Sequence, residues 1–304
     1  LNRSYAPDTL EPGFLEIFLD NYDEKERIYP SLFKMFTSGK QSERFSEFSG
    51  FGYPVAKAEG ASIDYEDPVQ GYDTILTHVV FAKGFKVTRE AIDDDQYNVI
   101  SRLPEKLGRS FRRWEDQSGS RVFQRAFNSS YLGGDDQELC STVHSRADGG
   151  ATQSNASATG ITLTEANYET LRLQLVNQID HKGMRIDVKP SKIVVPNNLW
   201  KTANIIFNSN LRSGTADNDL NVYKGTLDVV VWPYLSELNT TVWFLIDGGQ
   251  NGLDWIWRDR VEFKNDATFD TEVKLYKARE RFSNGWYDWH GLVGSLGDGA
   301  SYSG

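Results

Sequence analysis

Residues 40–71 constrain the fold most. The stretch is rich in Ser, Gly, Glu and Lys, yet it spaces four aromatics, Phe45, Phe48, Phe51 and Tyr53, along its length. Short alternating pieces at 53–58 and 62–66 flank a turn-like Glu59-Gly60-Ala61, which predicts a two-stranded hairpin. The segment holds too few large apolar residues to pack a core of its own. A coreless stretch of about 30 residues is uncommon inside a compact domain and is usually functional. It is expected either to move freely or to lie on another molecule, with its aromatics as anchors.

The flanking chain is better supplied. Residues 12–36 scatter Phe14, Ile17, Phe18, Tyr22, Ile28, Leu32, Phe33 and Phe36 among charges, which predicts an arm with one or two short helices. Residues 74–88 are strand-like and β-branched, and Lys83-Gly84 suggests a bulge or turn within them. Asp93, Asp94 and Asp95 then place negative charge where a helix macrodipole favours it. Val99, Leu103, Leu107, Phe111 and Trp114 follow at spacings of 4, 4, 4 and 3, with Val122 and Ala126 continuing beyond Gly119. A helix over 104–128 is about 37 Å long, and Pro104 is expected to kink or restart it.

Residues 133–160 form a Gly-, Ser-, Asp- and Ala-rich connection. Thr162 and Glu165 read as a capping box opening a helix through Tyr168, Leu171, Leu175 and Ile179. A buried-strand run at 192–195 ends at Pro196, and Asn197 or Asn198 is expected to cap a helix through Leu199, Ala203 and Ile206. Strands at 227–232 and 241–247 complete a helix–strand alternation that predicts an α/β domain. Residues 255–264 then alternate Trp255, Trp257, Val261 and Phe263 against Ile256, Arg258, Arg260, Glu262 and Lys264, a strand with one wet face. A second long strand is expected over 271–279. Residues 285–293 carry Trp286, Tyr287 and Trp289, and the Gly-rich tail 291–304 is expected to fray.

The chain offers little chemistry. Its 304 residues carry 33 basic and 43 acidic side chains, a formal charge of −10, which argues against a protein that coats nucleic acid through bulk charge. Cys140 is the single cysteine, so an intrachain disulfide and a Cys-rich metal site are excluded. His78, His144, His181 and His290 show no ligand spacing, and each reads as a surface or satisfied core histidine. Asp247, Asn251, Gly252 and Asp254 faintly suggest a calcium loop, but Gly249 and Arg258 stand where ligands belong, so a tight turn is expected. No phosphate-cradling loop or nucleophile elbow occurs. The acidic clusters Asp93–Asp95 and Asp135-Asp136 are read as a helix start and a loop. No catalytic, cofactor or metal site is expected. No apolar run approaches the length of a membrane-spanning helix, and residues 1–20, beginning at Leu1, lack a secretory core. A cytoplasmic setting, or an assembly built there, is the expectation.

Four stretches carry a family resemblance. They are Phe85-Lys86-Val87-Thr88-Arg89-Glu90-Ala91-Ile92-Asp93-Asp94-Asp95, then Arg102-Leu103-Pro104-Glu105-Lys106-Leu107-Gly108-Arg109-Ser110, then Ile193-Val194-Val195-Pro196-Asn197-Asn198-Leu199-Trp200, and finally Val273 through Arg279, Arg281 and Trp286 to Gly291. In order and spacing they resemble the major capsid proteins of tailed bacteriophages, the Mu-like major head subunits in particular. The resemblance implies an α+β fold with an N-terminal arm (1–40), an extended E-loop hairpin (41–72) and a peripheral domain with a long spine helix (73–130). An axial α/β domain (131–254), a return to the peripheral domain (255–290) and a C-terminal tail (291–304) complete it.

The implied function is a non-enzymatic structural subunit of an icosahedral head enclosing double-stranded DNA, without cofactors or a membrane. Partners implied are many copies of the chain in hexamers and pentamers, with scaffolding, portal and decoration proteins. The implied location is the virion, after assembly in the host cytoplasm. Candidate subunit contacts are Phe45, Phe48, Phe51 and Tyr53 on the E-loop and Arg258, Arg260 and Glu262 on the wet strand face. Lys57 is the nearest candidate for the E-loop lysine that some relatives crosslink to a neighbour's asparagine, although no partner motif is evident. Two other readings are open: an encapsulin-like compartment of the same fold, and a carbohydrate-binding protein suggested by Trp243, Trp255, Trp257, Trp286 and Trp289.

Overall fold

A computed structural model describes residues 6–95, 99–212, 219–268 and 270–301. In chain order the elements are α1 (Ala6–Tyr22), β1 (Lys34–Thr37), β2 (Ser42–Phe48), β3 (Gln70–Thr77), β4 (Val79–Thr88), α2 (Arg89–Asp93) and α3 (Arg102–Gln124). Then follow α4 (Glu165–Val176), β5 (Lys192–Val195), α5 (Trp200–Phe207), β6 (Asp228–Val231), β7 (Trp243–Ile246), β8 (Gly252–Thr268), β9 (Val273–Asp288) and β10 (Leu292–Ser295). The chain divides into two compact units, Leu1–Glu43 with Leu76–Gly119 and Trp255–Asn284, and Arg44–Ile75 with Ser120–Asp254 and Gly285–Gly304.

The first unit is built on a four-stranded sheet in the order β1-β8-β9-β4. β4 and β9 pair antiparallel without interruption from Val79↔Phe282 to Thr88↔Val273. Gly84 therefore makes no bulge. It lies so close to β9 that a Cβ there would stand 2.3 Å from the Tyr276 carbonyl oxygen. The long helix starts at Arg102, which places Pro104 in the first turn, where no intrahelical donor is required, so Pro104 neither kinks nor restarts it. Val99 precedes the helix and is exposed, whereas Leu107 and Phe111 are buried.

The arm holds one helix of 17 residues, longer than the short helices expected. Phe14, Phe18 and Tyr22, four residues apart on α1, are buried within the chain itself. Phe18 and Tyr22 pack with Leu107, Phe111 and Ala278, and Phe14 packs with Val87 and Tyr276. These arm residues are thus part of the first unit's core.

A polar cluster lies under this arm. Glu115 on α3 is fully buried; its carboxylate accepts from Arg27 Nε at 2.8 Å, from the Tyr29 hydroxyl at 3.0 Å, and from the Tyr22 hydroxyl. Glu280 on β9 is also fully buried, and neither of its carboxyl oxygens has a hydrogen-bond donor. Burial, reinforced by the Glu115 charge, pushes the Glu280 carboxyl up to about 9. Burial likewise raises Glu115 against the opposing pull of Arg27, Tyr22 and Tyr29. At neutral pH the Glu280 carboxyl is therefore protonated.

The second unit centres on a sheet in the order β10-β7-β5-β6. β5 and β6 run parallel around α5, while β7 is antiparallel to both β5 and β10. The apolar runs Ile193–Val195 of β5 and Trp243–Ile246 of β7 are buried on both faces. Leu171 and Leu175 from α4 and Ala203, Ile206 and Phe207 from α5 pack on Ile193, Val195, Trp243 and Leu245. The start of α4 departs from the capping-box reading. Thr164 is the N-cap, its hydroxyl accepting from Asn167 N–H at 3.2 Å, and Glu165 opens the helix. Neither Asn197 nor Asn198 caps α5: a short 3₁₀ turn, Asn197–Leu199, leads into it without a side-chain cap.

Candidate assembly interface

The hairpin sits in the second unit, and its ladder lies at the base rather than at the tip. β2 pairs with β3, and the last backbone bond joins Ser49 N–H to the Val69 carbonyl at 2.9 Å. The Ser49 hydroxyl accepts from Val69 N–H at 2.7 Å. Beyond that closure, residues 50–68 contain no strand, so the pieces expected at 53–58 and 62–66 form no ladder. Pro54 and Pro68 remove donors there, and Gly and Ala supply little to pack.

The aromatics separate into two groups. Phe45 is half-buried and stacks on Tyr287 of the same chain, with ring centroids 4.7 Å apart and planes within 9°. It anchors the base of the hairpin internally and is less exposed than the other aromatics of the set. Tyr287 is pushed up to about 12 by burial and by the charges of Asp254, Asp288 and Glu47, so it presents a neutral ring. Phe48, Phe51, Tyr53, Val55, Ile63 and Tyr65, by contrast, are each between 60% and 87% exposed. Six large apolar side chains held in water on one short segment form a patch of the kind that marks a protein contact.

Polar bonds within the unit fix the loop's root. Glu47 Oε2 lies 3.0 Å from His181 Nε2, while His181 Nδ1 accepts from Ala147 N–H at 3.2 Å. The second bond assigns the proton to Nε2, which donates to Glu47. Lys182 Nζ pairs with Glu66 at 2.6 Å, and Gly52 N–H donates to the other oxygen of the same carboxylate at 2.7 Å. These partners hold the Glu66 carboxyl below its ordinary range, Lys182 being the larger cause. Asp73 on β3 is held low in the same way by Arg44 and Ser46 on β2.

The remaining candidates lie on β8 or in the loop. Arg258 is half-buried and donates to the Gly39 and Lys40 carbonyls of its own chain, so it is committed internally. Arg260 is exposed, with its guanidinium 4.5 Å from the Trp257 ring centre, and Glu262 pairs with Lys264 at 2.6 Å. Lys57 is exposed and forms no ion pair among the described residues.

Groups that resemble catalytic or ligand sites are satisfied structurally. His144 is fully buried and stacked on Trp289, and its ring nitrogens meet Asp135 at 2.6 Å and Asn155 at 3.0 Å. Both nitrogens are occupied, so this Asp–His pair braces the 133–160 connection. Cys140 is buried, and burial raises its thiol, which keeps it protonated and inert. The described residues contain no group of three or more His, Cys, Asp or Glu able to hold a metal, and no helix long and apolar enough to cross a membrane. Trp243, Trp255, Trp257 and Trp289 are buried and Trp286 is half-buried, so they offer no stacking platform for a sugar.

Residues 71–295 match the family described as phage capsid protein, and the chain belongs to that family. It is a shell-forming structural subunit of a phage head. Solved structures share the fold at low identity. The procapsid of bacteriophage JBD30 is 16% identical, with a TM-score of 0.51 over 97% of this chain and 76% of that one. The capsid of cyanophage P-SCSP1u is 10% identical, with a TM-score of 0.59 over 89% and 88%. The virus-like particle from Pyrococcus furiosus is 10% identical, with a TM-score of 0.54 over 93% and 98%. No curated protein sequence matches the chain.

Proposed function

We propose that the subunit closes its shell by laying residues 50–68 on a neighbouring copy, in hexamers and pentamers, around double-stranded DNA that it encloses without sequence-specific contacts. The observation that carries this reading is the exposed apolar set Phe51, Tyr53, Val55, Ile63 and Tyr65, with Phe48 beside it at the end of β2. Its burial against a partner supplies a driving force of about 1.5–3 kcal/mol for each fully covered large side chain. A head-to-tail contact of this kind joins two different surfaces of identical subunits and closes by rotation into a ring. Arg260, Glu262 and Lys57 are exposed for secondary contacts. Scaffolding, portal and decoration proteins are the further partners, the host cytoplasm is the place of assembly, and the role is non-enzymatic.

The test replaces residues 50–68 with a short Gly-Ser turn, keeping β2, β3 and the Phe45–Tyr287 stack. The expected product is a folded monomer, with circular dichroism unchanged outside the deletion, that forms no closed shells by negative-stain microscopy. Normal shells from this variant would overturn the reading.

A further inference from the structure

Within the first unit, one face of α3 carries a row of cations. Arg102, Lys106, Arg109 and Arg113 recur at intervals of 4, 3 and 4, the spacing that keeps side chains in one line along a helix. Arg102, Lys106 and Arg113 are exposed. Lys106, Arg109, Ser110, Arg113, Trp114 and Gln117 line an open depression of about 520 Å³. A second depression of about 360 Å³ shares Ser110 and Trp114 with it and extends to Lys83 and Phe81 on β4. The two form one groove between the helix and an edge strand.

The charge in this groove is largely unspent. Arg109 is paired with Glu105 at 2.9 Å and with Glu24 at 3.0 Å. Lys83, Arg102, Lys106 and Arg113 form no ion pair among the described residues. Elsewhere on α3, Arg112 is engaged by Asp116 and by the carbonyls of Lys25 and Glu26. In a chain of formal charge −10, Lys83, Lys106 and Arg113 in the groove, with Arg102 one turn before Lys106 on the same row, mark a place for an external anion.

We propose that this groove binds the phosphate backbone of double-stranded nucleic acid without reading its sequence. The inference rests on the head-subunit role. It concerns a local contact with the enclosed genome, distinct from the contacts that close the shell. At 1.5 Å per helical residue, Arg102, Lys106 and Arg113 are spaced about 6 and 10 Å along the axis. These intervals match roughly two and three phosphate steps at 3.4 Å per nucleotide of one strand. A rigid row of that pitch suits a regular polyanion better than a flexible acidic peptide. The acidic remainder of the surface repels the same polymer, so the contact is weak, salt-sensitive and confined to this face. It tethers the genome without coating the protein.

The experiment measures binding of a fluorescent mixed-sequence duplex of about 24 base pairs to the full-length unassembled subunit, across roughly 50–200 mM salt. Binding with a log–log salt slope near −3 is expected, from about three or four neutralised phosphates. K106E/R113E should weaken binding at least about tenfold at low salt and flatten the slope by about 2. K201E/K224E changes the net charge equally in the other unit and should leave binding close to that of the unmodified protein.

Three results would overturn the inference: no binding by the unmodified subunit, equal loss in both variants, or preferential binding of polyglutamate over the duplex. The third would assign the groove to an acidic protein segment instead. Shell formation separates this inference from the reading it rests on. K106E/R113E should still assemble, and its failure to do so would make the groove a subunit contact and defeat the proposal. Failure of the unmodified protein to assemble would count against the proposed function itself.

Discussion

Gly108 of the spine helix α3 lies directly against the backbone of Phe18 on α1: a Cβ at this glycine would stand 2.5 Å from the Phe18 carbonyl oxygen and 3.2 Å from the Tyr22 nitrogen. The arm helix is thus seated by backbone contact, which only a residue without a side chain permits. Gly108→Ala gains up to about 1 kcal/mol of helix propensity, but it forces α1 outward at a cost of about 1–3 kcal/mol. Because the clash is with backbone rather than a flexible side chain, the second effect should win. Urea unfolding should show a lower midpoint, and limited proteolysis should cut α1 sooner. An unchanged or higher midpoint would show that α1 is not held there.

Glu280 gives a pH prediction whose sign is fixed by the direction of its shift. Its folded carboxyl titrates near 9, well above the ordinary carboxylate range, so between those limits the folded state holds a proton that the unfolded state has lost. Stability therefore falls as pH rises through that window. Other acids facing the cluster are Glu115, Tyr22 and Tyr29; the tyrosines are raised by burial first and by Glu115 second, so they stay neutral throughout. Arg27 remains charged. Glu280→Gln preserves the shape and removes the titration. It should stabilise the protein by about 1–3 kcal/mol at pH 8–9 and flatten the decline in Tm between pH 6 and 9. A variant with an unaltered pH profile would place the titration elsewhere.

Much of this architecture is legible in the sequence where one physical signal dominates. The runs Lys192–Val195 and Trp243–Ile246 are short, apolar and bounded by turn residues, and both are buried central strands. Single positions are harder, because periodicity must be counted from the correct origin. Phe45 and Phe48 are three apart on one strand and so face opposite ways; one packs on Tyr287 and the other stays in water. Glu280 shares the parity of Tyr276, Ala278 and Phe282, the buried face of β9, which was the available signal for a buried carboxyl. Phe14, Phe18 and Tyr22 mark one helical face in the same way. The cluster around Glu115 and the His181–Glu47 bond join residues 86 or more positions apart. Nothing local encodes such pairs.

The root of the loop gives a dynamic prediction. His181 and Lys182 reach Glu47 and Glu66, which lie on either side of the Ser49–Val69 closure at the base of the hairpin. These bonds are partly exposed and contribute little to global stability. H181A/K182A should therefore leave Tm nearly unchanged while it speeds amide exchange across residues 47–68. The increase should be largest near Gly52, whose N–H is bonded to Glu66. Equal exchange in the variant and the unmodified protein would mean that Phe45 and the β2–β3 ladder alone hold the segment.

The exposed ring set makes the sharpest demand on assembly. Phe51, Tyr53 and Tyr65 have no core role in the chain, so F51A/Y53A/Y65A should fold with an unchanged Tm, a result that core aromatics would never give. If these rings are covered in the shell, their loss removes several kcal/mol of contact per subunit, at about 1.5–3 kcal/mol for each fully buried side chain. Every 1.4 kcal/mol is tenfold in an association constant, so the protein concentration at which shells appear should rise by at least about tenfold. Light scattering across a concentration series measures that threshold, and microscopy confirms the closed particles. A threshold identical to that of the unmodified protein would mean that the rings stay in solvent after assembly, and that the subunits are joined through some other surface.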